Sequence, residues 1–129
     1  MREAISEGVN QVTKEIVDSA FRVHSTLGAG LLESVYEICL EHELKKRGLR
    51  VERQVAIPVI YDGVRLEAGF RLDLLVNNCV IVELKAVEYL LPVHTAQLMT
   101  YLKLTKHRLG LLINFNAPLI KDGIKRIAL

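Results

Sequence analysis

Glu83, Leu84 and Lys85 stand at the end of an apolar run that begins at Cys79. Side chains alternate along a strand, so Glu83 and Lys85 share one face. A carboxylate and an ammonium set into a buried strand cost several kcal/mol each unless they pair or bind something charged. Two readings follow: a structural ion pair between Glu83 and Lys85, or a site. Asp73 favours the second. It interrupts Phe70–Val76, the segment expected to run beside the Glu83 strand. Two carboxylates at short range force one to take up a proton unless a cation lies between them. A hard divalent ion, Mg²⁺ or Mn²⁺, suits such oxygen ligands. Lys85 would point at the same place, where an ammonium stabilises an anionic transition state.

Four further positions carry polar groups in telling places. Glu33 opens a helical stripe that continues through Tyr36, Leu40 and Leu44. By itself it reads as a first-turn acid that complements the helix dipole. Gln97 and Tyr101 are four residues apart on one helix face, with His94 one turn earlier on the same side. That face reads either as a partly exposed surface or as polar groups that hold a phosphate backbone or orient the acids.

The elements that must position these groups follow from periodicity. Val12, Ile16, Ser19, Ala20 and Val23 recur at helical spacing. Gly28 and Gly30 mark a turn, and a second helix is expected from about Leu31 to Arg47, stopped by Gly48. Val51–Tyr61 is rich in β-branched residues and holds Pro58, which suits an edge strand. Asp62-Gly63 is a hairpin signal. Val64–Val76 is the returning strand, Asn77-Asn78 a second turn, and Cys79–Val87 a third strand, apolar on both faces and so central. Pro92 opens a helix to Thr105. Leu109–Phe115 is a short apolar strand, Asn116–Gly123 a loop, and Ile124–Leu129 a last edge strand. The order is α-α-β-β-β-α-β-β, an α/β fold on a mixed sheet, with the strand at 109–115 parallel to that at 79–87.

This layout sets a condition on the acids. A two-residue turn at Asn77-Asn78 pairs Asp73 with Val82 and turns it away from Glu83. A shared site therefore requires a three-residue loop or a β-bulge between Val76 and Val80.

Composition bounds what such a site can serve. At 129 residues, half of them hydrophobic, the chain is expected to be one domain over 1–129 with its own core. A net charge of +2 excludes an electrostatic sponge for nucleic acid but leaves room for a local basic patch. Cys39 and Cys79 are too few for a disulfide scaffold and lack zinc spacing, so a reduced, cytoplasmic protein is expected. Met1–Gln11 has no signal-peptide core, and no apolar run approaches the roughly 18 residues of a membrane span.

Gly30-Leu31-Leu32-Glu33-Ser34-Val35-Tyr36 forms a GxxExxY signature. Together with Asp73, the Glu83-x-Lys85 motif, and Gln97 with Tyr101, it resembles the GxxExxY proteins of the PD-(D/E)xK nuclease superfamily. The likeness runs from about Val12 to Ile127 and includes His24–Gly28, Val82–Ala86 and Gly110–Phe115. It implies a restriction-endonuclease-like mixed sheet flanked by helices. It also implies that Asp73 and Glu83 hold the metal, with the main-chain carbonyl of Leu84 as a further ligand. Lys85 would position or activate the attacking water, and Glu33 would be an added helical acid. Gln97 and Tyr101 match a Q-x-x-x-Y pattern. Two features depart from the pattern: Ala29 stands where the family often has Pro, and Arg71-Leu72 precede Asp73 where the superfamily's name has a proline.

The functional expectation is a metal-dependent nuclease acting on DNA or RNA. Hydrolysis needs a metal to polarise the phosphate, an activated water and a cation for the developing charge. Lys45, Lys46, Arg47, Arg50 and Arg53, or Lys103, Lys106 and Arg108, are candidates to track the backbone. The alternatives are a non-catalytic nucleic-acid-binding or protein-interaction module on the same scaffold, and a structural subunit of an oligomer. A homodimer formed at the Ile124–Leu129 or Pro58 strand is an option the sequence leaves open.

Overall fold

In the computed structural model, which describes residues 4–129 (of Ala68, the backbone alone), α1 spans Glu7–Leu27. The polar start at residues 1–3 lies outside the described residues. Ser6 Oγ accepts the Val9 amide at 3.2 Å and begins the helix. Val12, Ile16, Ser19, Ala20 and Val23 are all buried, so the periodic face is the packed one.

α2 spans Glu33–Lys46, two residues shorter at its start than expected. Tyr36 explains the difference. Its hydroxyl donates to the Gly28 carbonyl at 2.6 Å and accepts the Leu31 amide at 3.1 Å. Those bonds hold the interhelical turn in a non-helical shape, and α2 begins just after it. The Tyr36 ring is fully buried and stacks on Phe115 with centroids 4.7 Å apart. At the far end Gly48, with φ at 84°, closes the helix as expected.

Five strands form one mixed sheet in the order β1 (Val51–Tyr61), β2 (Val64–Val76), β3 (Val80–Lys85), β4 (Leu109–Asn114), β5 (Ile124–Ala128). β3 is central. α3 (Pro92–Thr105) carries the chain from β3 to β4, and these two strands are parallel. A short 3₁₀ turn at Ile120–Gly123 lies within the expected loop. β3 is shorter than Cys79–Val87 at both ends. Cys79 belongs to the turn, and beyond Lys85 the side chain of Asn114 takes both the Val87 amide, at 3.1 Å, and the Val87 carbonyl, at 2.9 Å.

The turn between β2 and β3 meets the condition set by the acids. Val76 pairs with Val80, so the turn holds three residues, Asn77, Asn78 and Cys79. Asn77 and Asn78 take positive φ, 49° and 52°. Asn77 is pinned to β1, its amide donating to the Arg50 carbonyl and its Oδ1 accepting the Arg50 amide, each at 2.8 Å.

Two cores lie on the two faces of the sheet. α1 and α2 cover Val51, Leu74, Val76, Val80, Val82 and Leu84. α3 covers Ile57, Leu72, Leu75, Ile81 and Leu112. Strict alternation would put Val51 and Ile57 on one face, and Leu72 and Leu74 likewise. They are on opposite faces. The β1–β2 ribbon changes face at Gln54 and Asp73, where Gln54 has φ at 55° and the pairing skips from Arg53–Leu74 to Val55–Leu72. α3 can approach closely because β4 has Gly110, where a Cβ would come within 2.9 Å of Leu98. Among the described residues no helix is long and apolar enough to cross a membrane.

Candidate active site

The β2–β3 ladder ends at Leu74–Val82, and continuing its register sets Asp73 opposite Glu83. Here the strands stop pairing through their main chains. Asp73 Oδ2 instead accepts the Leu84 amide at 2.8 Å. The next residue, Lys85, turns its carbonyl to β4, where Phe115 donates to it at 2.9 Å. Main-chain groups alternate sides along a strand, so the Leu84 carbonyl lies on the Asp73 side.

Glu83 is buried, at 6% exposure, and its Oε1 has no hydrogen-bond partner among the described residues. Burial, then the adjacent Asp73 carboxylate, pushes its carboxyl up to about 9. Lys85 is half-buried, and among the described residues no ion pair joins it to Glu83. The structural ion pair is therefore not what keeps these charges in the strand. An unpartnered buried carboxyl oxygen beside a second carboxylate is a place for a cation or a proton.

The helical residues converge on the same point from two sides. Glu33 sits in the first turn of α2, where burial and then Asp73 push its carboxyl up, with Lys85 opposing. Tyr101, buried on α3, is pushed up by burial and then by Glu83 and Asp73. Gln97, one turn before it, is exposed. His94 plays a structural part, since its Nδ1 accepts the Leu91 amide at 3.0 Å and caps the start of α3. Asp73 and Glu83 thus stand side by side with Lys85 next on the strand, Glu33 and Tyr101 lie within electrostatic reach of them, and His94 stays at the helix end.

Two residues of the site are absent from the sequence-based set. Glu37, one turn after Glu33 on α2, is buried, and burial is the first cause that pushes its carboxyl up. Gln54 Nε2 donates to Glu37 Oε1 at 2.6 Å and reaches Asp73 Oδ1 at 3.4 Å. The i, i+4 spacing of Glu33 and Glu37 was a usable signal. Gln54 offered none, because its role depends on a positive φ within a strand.

The proposed basic tracks fare unevenly. Lys45, Lys46, Arg47 and Arg53 are engaged by α2 and α1 glutamates, with Arg47–Glu15 at 3.2 Å, Lys45–Glu41 at 3.4 Å, Lys46–Glu43 at 3.7 Å and Arg53–Glu41 at 3.9 Å. Arg108 donates to the Leu129 carbonyl at 3.1 Å. Lys103 and Lys106 are exposed.

A divalent ion fits the donors present. Asp73 and Glu83 supply carboxylate oxygens and Leu84 a main-chain oxygen, all hard ligands. Among the described residues no three His, Cys, Asp or Glu side chains form a ready metal cluster, so main chain and water would complete the shell.

Residues 10–127 match the model of a family described as the PD-(D/E)XK nuclease superfamily. No curated protein and no solved structure matches the chain. The mixed sheet and the helix order are those of a restriction-endonuclease-like α/β fold. A match of that length, on strands that set Asp73 against Glu83-x-Lys85, means that the chain belongs to the PD-(D/E)XK nuclease superfamily.

Proposed function

We propose that this protein is a divalent-metal-dependent nuclease of the GxxExxY type, hydrolysing phosphodiester bonds of DNA or RNA. The observation that carries the reading is Glu83 Oε1, buried without a partner among the described residues and directly across from Asp73. A fold gains nothing from leaving a carboxyl so placed, whereas a cation site needs it.

Asp73, Glu83 and the Leu84 carbonyl would hold Mg²⁺ or Mn²⁺. The bound ion would act as a Lewis acid on the phosphate and lower the pKa of water. Asp73 keeps its orientation through the Leu84 amide on Oδ2, and Oδ1, approached on one side by the Gln54 amide at 3.4 Å, keeps a second lone pair for a ligand. Lys85 follows Glu83 on the same strand face, where its ammonium would hold the attacking water and offset charge on the phosphate. Glu33, at the opening of α2, would accept a proton from that water or hold it in line. Tyr101, with Gln97 one turn away, would donate hydrogen bonds to phosphate oxygens.

The test is cleavage of single- and double-stranded DNA and RNA with Mg²⁺, with Mn²⁺ and with chelator. Wild type should cut only with metal, and Asp73→Ala should not cut at all. Metal binding with no cleavage of any of these substrates would identify a non-catalytic module instead.

A further inference from the structure

The β1–β2 ribbon changes face at one residue pair, Gln54 and Asp73. Gln54 is exposed, is not glycine, and holds φ at 55° in the middle of a strand. L-residues rarely adopt that backbone, and an exposed side chain gains nothing from it by burial. The conformation does direct the side chain back across the ribbon. Its Nε2 donates to Glu37 Oε1 at 2.6 Å and lies 3.4 Å from Asp73 Oδ1. Glu37 is itself faced by Arg53, with Nε 4.0 Å from Oε2.

We infer that Gln54 is a positioning residue for the metal-binding carboxylate of Asp73, anchored in that role by Glu37. The inference rests on the reading of Asp73 as a metal ligand. The Leu84 amide holds Asp73 Oδ2, and the Gln54 amide approaches Oδ1. Two donors on the two oxygens fix the plane of the carboxylate, which a single hydrogen bond leaves free to rotate. A neutral amide also separates the Glu37 and Asp73 carboxylates, where a second acid would repel both. Glu37 clamps the amide through its shorter bond, so α2 sets the position of a β2 side chain through β1. Outer partners of this kind orient a metal ligand without themselves touching the reacting atoms.

The experiment uses the full chain with two substitutions, Gln54→Met and Gln54→Gly. Methionine keeps the length and removes both donors. Glycine removes the side chain but accepts the positive φ without strain, which offsets part of the lost Glu37 hydrogen bond, so this variant should melt no lower than Gln54→Met. In both, Mn²⁺ affinity measured by calorimetry should fall about tenfold to a hundredfold. In both, the Leu84 amide proton should move upfield in the metal-free NMR spectrum, as its bond to Asp73 loosens. Mn²⁺ affinity and a Leu84 amide that match wild type in both variants would overturn the inference. If wild type binds no Mn²⁺, the metal reading itself falls. The Leu84 amide then decides alone: a shift supports positioning by Gln54, and an unmoved signal rejects it.

Discussion

The carboxylate of Asp73 accepts the main-chain amide of Leu84 at 2.8 Å, at the point where β2 and β3 cease to pair. A β2 side chain has replaced the β2 main chain as the hydrogen-bond partner of β3. That exchange ends the main-chain ladder beside Glu83 and sets two carboxyl groups side by side. It depends on the three-residue turn at Asn77–Cys79, since a shorter turn would place Val82 where Glu83 stands.

The metal-free fold should lose stability as pH rises because of Glu83. Its folded value is about 9 against an ordinary 4.5, so below 4.5 the group is protonated in both states and its contribution is fully present. Between 4.5 and 9 the unfolded chain gives up the proton while the folded chain keeps it, and the contribution is lost. Glu33 and Glu37 shift in the same direction and add to the trend. Glu83→Gln, which cannot ionise, should therefore melt above wild type at pH 8, by on the order of a few kcal/mol, and match it near pH 4. Equal melting curves at pH 8 would contradict the burial argument.

Divalent metal should reverse that trend. A cation must displace the proton on Glu83, so Mn²⁺ should bind more tightly as pH rises from 6 to 8, roughly tenfold per unit for one proton released. At a hundred times the dissociation constant the fold should gain about 2.7 kcal/mol. Thermal melts of wild type and Asp73→Ala, with and without Mn²⁺, measure both effects. The gain should be absent in Asp73→Ala, and a gain that persists there would locate the metal elsewhere.

Lys85 should separate binding from turnover. Its ammonium sits beside the acids without pairing to Glu83, so Lys85→Ala should leave Mn²⁺ affinity within a few-fold of wild type. Cleavage of the substrate identified by the screen should drop by about 10²–10³-fold. Single-turnover rates at saturating Mn²⁺ make the comparison. Undiminished cleavage would remove Lys85 from the chemistry.

Tyr36 should matter through the turn it closes, not through the reaction. Tyr36→Phe keeps the stack on Phe115 but strips the Gly28 carbonyl and the Leu31 amide of their shared partner. Leaving such groups unsatisfied costs about 1–3 kcal/mol. Urea unfolding should show that loss in the midpoint with no change in slope. An unchanged midpoint would mean that solvent satisfies the turn equally well.

Much of this arrangement follows from sequence alone. Val51–Tyr61, Val64–Val76 and Pro92–Thr105 begin and end where β-branched runs, Asp62-Gly63 and Pro92 put them, because those signals are local. The parallel pairing of β3 and β4 follows from the helix between them. Charges inside an apolar strand mark Glu83 and Lys85 as soon as the strand is recognised, and the need for Asp73 to face Glu83 predicts the irregular turn.

Tertiary structure alone decides the rest. Whether Glu83 pairs with Lys85 or stays unpartnered depends on side-chain geometry that alternation does not specify. His94 reads as one of a polar helical trio, yet it caps α3 because the Leu91 amide lies within its reach. The cations of α2 read as a backbone track, yet the glutamates opposite them on α1 and α2 take up their charge. Gln54 and Glu37 join the site only because one residue in β1 adopts positive φ and turns the ribbon over. Periodicity records which residues are buried together; it carries no information about a single backbone angle, and on that angle the placing of Asp73 depends.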